Sequence, residues 1–81
     1  MSTEVFDALL SAQANCCAIC TGHIGHDGST KFKRGYVDHD HGTGAVRGLL
    51  CRRCNVSIGQ FEDNPRLLDA AAAYLRKHGK V

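Results

Sequence analysis

The sequence has no tryptophan, a single proline and no long apolar run, and these absences narrow what the chain can be. The stretch Ala8 to Gly25 has no charged residue, but it is interrupted by Gln13, Asn15, Thr21 and His23. That falls short of the ~20 consecutive apolar residues of a spanning helix, so no membrane partner is expected. Met1 to Leu10 carries Glu4 and Asp7 but no lysine or arginine, so the basic start of an export signal is missing and a cytoplasmic, reducing compartment is expected. There is no internal repeat and no low-complexity tract. Nor is there a recognition helix, an aromatic stacking platform or a base-reading motif, so specificity for a nucleic-acid sequence is not expected. With 81 residues there is room for one domain only, spanning 1–81. A chain near this size buries only ~60–65% of the surface its unfolded state exposes, which calls for some cross-link beyond the core.

The cysteines offer one. Five of them, an odd number, in a reducing compartment favour metal ligation over a disulfide framework. Cys17-Ala-Ile-Cys20 and Cys51-Arg-Arg-Cys54 each have two intervening residues, and four such thiolates can close a tetrahedron around Zn²⁺ at ~2.3 Å. Structural zinc in small peptides contributes on the order of 10–16 kcal/mol, as much as the net stability of a domain. The pairs are separated by thirty residues. The usual spacing is ~15–20, so an insert with a task of its own hangs between the knuckles. Cys16 is the thiol left over; Cys16 to Cys20 is an alternative ligand pair, but Cys17 is the better ligand and Cys16 reads as a small, partly buried residue.

The pattern between and around the knuckles predicts a small α+β fold, with a core at about 17–60 and flanking helices at about 3–14 and 65–78. Ser2 or Thr3 caps the first helix, with Glu4 in its first turn and Val5, Phe6, Leu9 and Leu10 as its apolar stripe. Gly22 to Gly35 reads as an irregular loop, with His23 and His26 exposed. Tyr36 to His41 and Ala45 to Leu50 read as the arms of a β-hairpin turning at Gly42-Thr43-Gly44. A short helix follows from Asn55 to about Phe61. Asn64-Pro65 starts a last helix that buries Leu67, Leu68, Ala71 and Leu75 and stops at Gly79.

The hairpin carries the chemistry. Asp38-His39-Asp40-His41 packs two carboxylates and two imidazoles into four residues, a composition that lowers strand propensity without any structural return. Carboxylate oxygen suits Mg²⁺, and a neutral imidazole is suited to take a proton from water, so together they point to metal-assisted hydrolysis. Asn55 follows Cys54 directly; its amide oxygen can complete a divalent-ion site, and it can equally be the N-cap of the short helix. In a flat strand Asp38 and His39 face opposite ways, so action on one phosphate requires a bulge, twist or strand end near residue 38.

Cys17-Ala-Ile-Cys20 together with the continuous stretch Asp38 to Asn55 resembles the recombination endonuclease VII family, a group of HNH-type (ββα-metal, or His-metal finger) nucleases. The resemblance implies a structural zinc at Cys17, Cys20, Cys51 and Cys54. It further implies a catalytic Mg²⁺ or Mn²⁺ held by Asp38 and Asn55, His39 as general base, and His41 at the phosphate. DNA, double-stranded or branched, is the implied substrate, and a bacterial or phage-infected cell the implied setting. The sequence departs from the junction-resolving members in two ways. Position 58, one helical turn after Asn55, is Ile58 rather than an acid, leaving Glu62 as a candidate to share that face; and the long helices that build their dimer are not present, so a monomer that nicks is expected. Net charge is only +2, but Lys31, Lys33, Arg34, Arg47, Arg52 and Arg53 gather six of the ten basic residues around the hairpin as candidate phosphate contacts. Arg76, Lys77, His78 and Lys80 more simply complement the end of the last helix. Two other readings stand beside the nuclease: a zinc-stabilised nucleic-acid-binding module without turnover, and a purely structural zinc domain, which leaves Asp38, His39 and His41 unexplained.

Overall fold

A computed structural model describes residues 2–26 and 33–79. Among the described residues, the elements run in the order α1 (Thr3–Ala12), β1 (Ile24–Gly25), β2 (Lys33–His39), β3 (Val46–Cys51), α2 (Arg52–Gln60) and α3 (Pro65–Lys77). The fold is a small α+β arrangement with a three-stranded sheet ordered β1-β2-β3. No helix among the described residues is long and apolar enough to cross a membrane.

Ser2 is the cap of α1: its hydroxyl accepts from the Val5 N–H at 3.2 Å. The helix ends two residues earlier than expected because Ala14 and Asn15 take left-handed backbone angles, and Asn15 N–H donates back to the Leu10 carbonyl at 2.8 Å. Of its apolar stripe only Leu10 is buried; Phe6 and Leu9 are half-buried against the core, and Val5 is exposed.

The stretch expected as irregular loop contains a strand. Ile24 and Gly25 pair in parallel with Lys33 and Arg34, and Ile24, 1% exposed, is one of the largest fully buried side chains. Six charged, polar and glycine residues around it mask the signal of a single core isoleucine. β2 accordingly starts at Lys33, three residues before Tyr36, and it ends at His39, so that His41 lies in the turn and not on the strand. The turn is wider than Gly42–Gly44: the Asp40 carboxylate accepts from the Gly42 and Thr43 N–H groups at 2.8 and 2.9 Å, and Asp40 N–H donates to the Ala45 carbonyl. Gly44 takes the positive φ of 77° that closes the loop.

The core joins Leu10, Ile24, Leu49 and Leu50 to three buried cysteines, with Ile58 packed against it. α1 is pinned to β3 by one side chain. The Gln13 amide donates to the carbonyls of Cys16 and Leu49 at 2.8 and 2.9 Å, and its oxygen accepts from the Leu49 N–H at 2.9 Å, in the manner of a strand partner. Gly48 makes room for it: a Cβ there would meet the Gln13 oxygen at 3.0 Å.

α3 has its expected cap, Asn64 accepting from Arg66 N–H at 2.9 Å, and Pro65 as first residue. Its expected buried face is corrected. No residue of α3 is buried; Leu68 and Ala71 are half-covered, while Leu67 and Leu75 are exposed, Leu75 by 48%. Among the described residues the core is closed by α1, the sheet and α2, so the amphipathic pattern here marks an apolar face that they cover only in part.

Leu49 is 0% exposed; its N–H donates to Gln13, and its carbonyl accepts from Gln13 and from the Ala18 N–H at 3.1 Å. Gln13→Leu should therefore cost about 1–3 kcal/mol, chiefly through the Leu49 N–H left buried without a partner, read as a shift of the denaturation midpoint in urea.

Candidate metal centre and polar cluster

The four ligand atoms of Cys17, Cys20, Cys51 and Cys54 lie within 4.8 Å of one another, and the Cys20 and Cys51 sulfurs are 3.8 Å apart. That is the edge of a tetrahedron whose centre lies ~2.3 Å from each corner, the Zn–S distance, and soft thiolates in this arrangement suit zinc. The first pair sits on the turn after α1, the second on the junction of β3 and α2. Backbone N–H groups point at the sulfurs: Ile19 at Cys17 (3.4 Å), Gly22 at Cys20 (3.5 Å) and Cys54 at Cys51 (3.5 Å). The last of these makes Cys51 the N-cap of α2, so the helix begins at Arg52 and Asn55 lies inside its first turns, not at its cap.

Charge at the four sulfurs is unevenly tolerated. Burial works against ionisation of Cys17, but hydrogen bonds from backbone N–H groups outweigh it and bring its pKa down to about 6. Burial and the neighbouring thiols push Cys54 up to about 12. Four thiolates at one point need a cation among them, which is what a zinc ion supplies. Cys16 is outside the set: its sulfur lies against the Ala14 carbonyl at 3.2 Å and the His23 ring at 3.9 Å. His23 also pairs with Cys16 in an isolated bridge, and His26, though exposed, bonds to Asp7.

A second polar cluster forms on the hairpin. The β2–β3 register slips between Asp38, opposite Gly48, and His39, opposite Val46, leaving Arg47 as the extra residue of a bulge. The irregularity required near residue 38 is thus present. Asp38 is 9% exposed, and both its oxygens accept from Arg47, from Nε at 2.7 Å and from a terminal nitrogen at 2.9 Å. The same terminal nitrogen reaches the Asp63 carboxylate at 3.2 Å. Arg47, expected among the phosphate contacts, is therefore committed to two carboxylates, which raise its pKa above the ordinary value, Asp38 foremost.

Asp63 was not singled out by the sequence, where it reads as one more polar residue before the Asn64-Pro65 cap. Glu62 and Asp63 both adopt positive φ in the turn after α2, and Asp63 N–H donates to the Ile58 carbonyl at 2.8 Å. That turn carries Asp63, not Glu62, to the hairpin. Ile58 is half-buried against the core, so an acid at position 58 would give up that apolar contact.

The other residues expected at the site are carried by β2, the turn after it and α2. His39 is exposed at the end of β2, its ring 5.2 Å from that of His41, which is exposed in the turn. Asn55 is half-buried on α2, directly after a metal ligand. Asp40 serves the turn, and the Thr43 and Gly42 N–H groups hold its carboxyl below the usual range. Lys33, Arg34 and Arg52 are exposed, Arg34 lying over the Tyr36 ring at 5.1 Å. Arg53 is drawn instead to the Cys20 and Cys54 sulfurs, which raise its pKa. Lys31 falls outside the described residues.

Cys16→Ser should keep a full complement of zinc and the wild-type melting temperature, whereas Cys17→Ser should lose both. Metal analysis with a circular-dichroism melt checks this, and a strong chelator should unfold the wild type.

The profile of the recombination endonuclease VII family matches residues 1–77. Among curated relatives, the gene 59 protein of Mycobacterium phage D29 is 44% identical over 78 residues, covering 95% of this chain and 44% of that protein. The gene 59 protein of Mycobacterium phage L5 is 44% identical over 64 residues, covering 78% of this chain and 36% of the relative. The chain thus spans less than half the length of these relatives. With the family profile covering nearly its whole length and the four-cysteine centre in place, the chain belongs to the recombination endonuclease VII family.

Proposed function

We propose that the protein is a metal-dependent DNA endonuclease of the HNH, ββα-metal type, with the β2–β3 hairpin and α2 as its catalytic unit. The family implies a nuclease and a nucleic-acid substrate. The observation that carries the finer reading is the slip between Asp38 and His39. It sets a buried carboxylate beside an exposed imidazole, on a hairpin whose far end is tied through Cys51 and Cys54 to the helix bearing Asn55.

The donor set fits a hard divalent ion: one carboxylate, one amide oxygen, and open positions for water and phosphate. The Asp38 carboxylate offers about four lone-pair directions, of which Arg47 takes two. Asp38 and Asn55 would hold a Mg²⁺ or Mn²⁺ ion, which would supply Lewis acidity to the phosphodiester. His39 takes the proton of the attacking water, for which an exposed ring at a strand end is accessible from solvent. His41, on the neighbouring turn, contacts the phosphate. Lys33, Arg34 and Arg52 hold the strand by its backbone, without base readout. The products carry 5′-phosphate and 3′-hydroxyl ends. One such site in a monomer makes single-strand nicks in double-stranded or branched DNA, in the cytoplasm of a phage-infected bacterium.

A second reading has its own support. With both Asp38 oxygens paired to Arg47 and the apolar Ile58 packed against the core, the same scaffold can bind DNA without turnover.

Zinc-loaded protein should nick supercoiled plasmid only when Mg²⁺ or Mn²⁺ is added, and His39→Ala should lower the rate by ~10²–10⁴-fold with zinc content unchanged. Salt-sensitive DNA binding with no cleavage of plasmid, branched or single-stranded substrates would select the binding module instead.

A further inference from the structure

Arg47 bonds two carboxylates that the chain brings in from different elements. Asp38 comes from β2 and Asp63 from the turn after α2, and one terminal nitrogen of the guanidinium serves both. A guanidinium alone on Asp38 leaves a neutral pair, which has little pull on a further cation. With Asp63 added, the formal charges of the three side chains sum to −1 + 1 − 1 = −1, and the cluster is again anionic. Asp63 is 22% exposed at its side chain against 38% for Arg47, so this charge is only partly screened by water.

We propose that Asp63 is a positioning residue that acts on the divalent-ion site through Arg47, offsetting the guanidinium so that Asp38 keeps its attraction for the ion. The inference rests on the reading of Asp38 as an ion ligand. Asp63 then takes over, indirectly, the electrostatic part of the acid that position 58 lacks. Arg47 acts in the opposite sense: it keeps the buried Asp38 carboxylate paired when no ion is there, and weakens the ion's hold when one is. The two substitutions therefore have opposite signs. Asp63→Asn leaves the guanidinium wholly to Asp38 and weakens ion binding, whereas Arg47→Gln removes the competing cation and strengthens it. A pair that merely stabilised the fold would weaken ion binding on either substitution.

The test is a Mn²⁺ titration of the zinc-loaded full chain, with free Mn²⁺ read by electron paramagnetic resonance at fixed ionic strength. Zinc content and a thermal melt of each variant accompany it. Asp63→Asn should raise the dissociation constant by about 5-fold or more, Arg47→Gln should lower it, and Asp63→Asn placed on Arg47→Gln should change it by less than about 2-fold. If Arg47→Gln loses zinc or its melt, Arg47→Met replaces it as background, since it keeps the aliphatic stem and removes the charge. An Asp63→Asn effect that is absent, or equal with and without the fork, overturns the proposal while leaving the ion site standing. Wild-type Mn²⁺ binding that is absent, or unchanged by Asp38→Asn, overturns both this proposal and the ion-site reading beneath it.

Discussion

Everything in this chain hangs on four sulfur atoms. Cys17 and Cys20 lie on the turn after α1, and Cys51 and Cys54 at the seam of β3 and α2, so a single ion at their centre joins the two ends of the hairpin insert. Three of the four are buried and form part of the core, which otherwise holds few large side chains. An ion held there would be both cross-link and core. Its binding free energy, on the order of 10 kcal/mol or more, is comparable to the whole stability of a small domain, so a chain of this length can devote its exposed hairpin to polar residues.

The same centre sets the direction of the candidate site. Cys51 caps α2 with its own sulfur, Cys54 follows in the first turn, and Asn55 comes next, so the ligands that fix the helix also fix where Asn55 stands. Across the sheet, Gln13 pairs with Leu49 and holds β3 in place from the other side. With β3 fixed at both faces, the bulge at Arg47 is the point where the hairpin departs from regular pairing, and there Asp38, Arg47 and Asp63 meet. A buried carboxylate with a guanidinium partner is costly to expose and costly to leave unpaired, so the trio gives the hairpin a defined electrostatic state.

Much of this was legible in the sequence, and for a shared reason. The two cysteine pairs, the Ser2 and Asn64-Pro65 caps, the hairpin and the preference for Cys17 over Cys16 are all carried by residues within a few positions of each other, where spacing alone decides what can meet. The errors also have physical causes. Ile24 was hidden because one buried side chain in a polar loop has no periodicity, and α2 began at Arg52 because a metal-ligating thiol replaced an ordinary cap. The stripe of α3 was read as core because amphipathicity reports an apolar face and not what covers it; Tyr74, at 64% exposure, shows how open that face is.

The sequence by itself determined the metal-ligand set, the family and the identity of the polar residues on the hairpin, since each is a matter of residue type at short range. Only the tertiary structure decided how those residues are partnered. Gln13 meets Leu49 across 36 positions, Cys20 meets Cys51 across 31, and Arg47 bonds Asp38 and Asp63 across 9 and 16. Such pairings depend on strand register, on one bulge and on a left-handed turn, and a one-residue slip in any of them would send the side chains elsewhere.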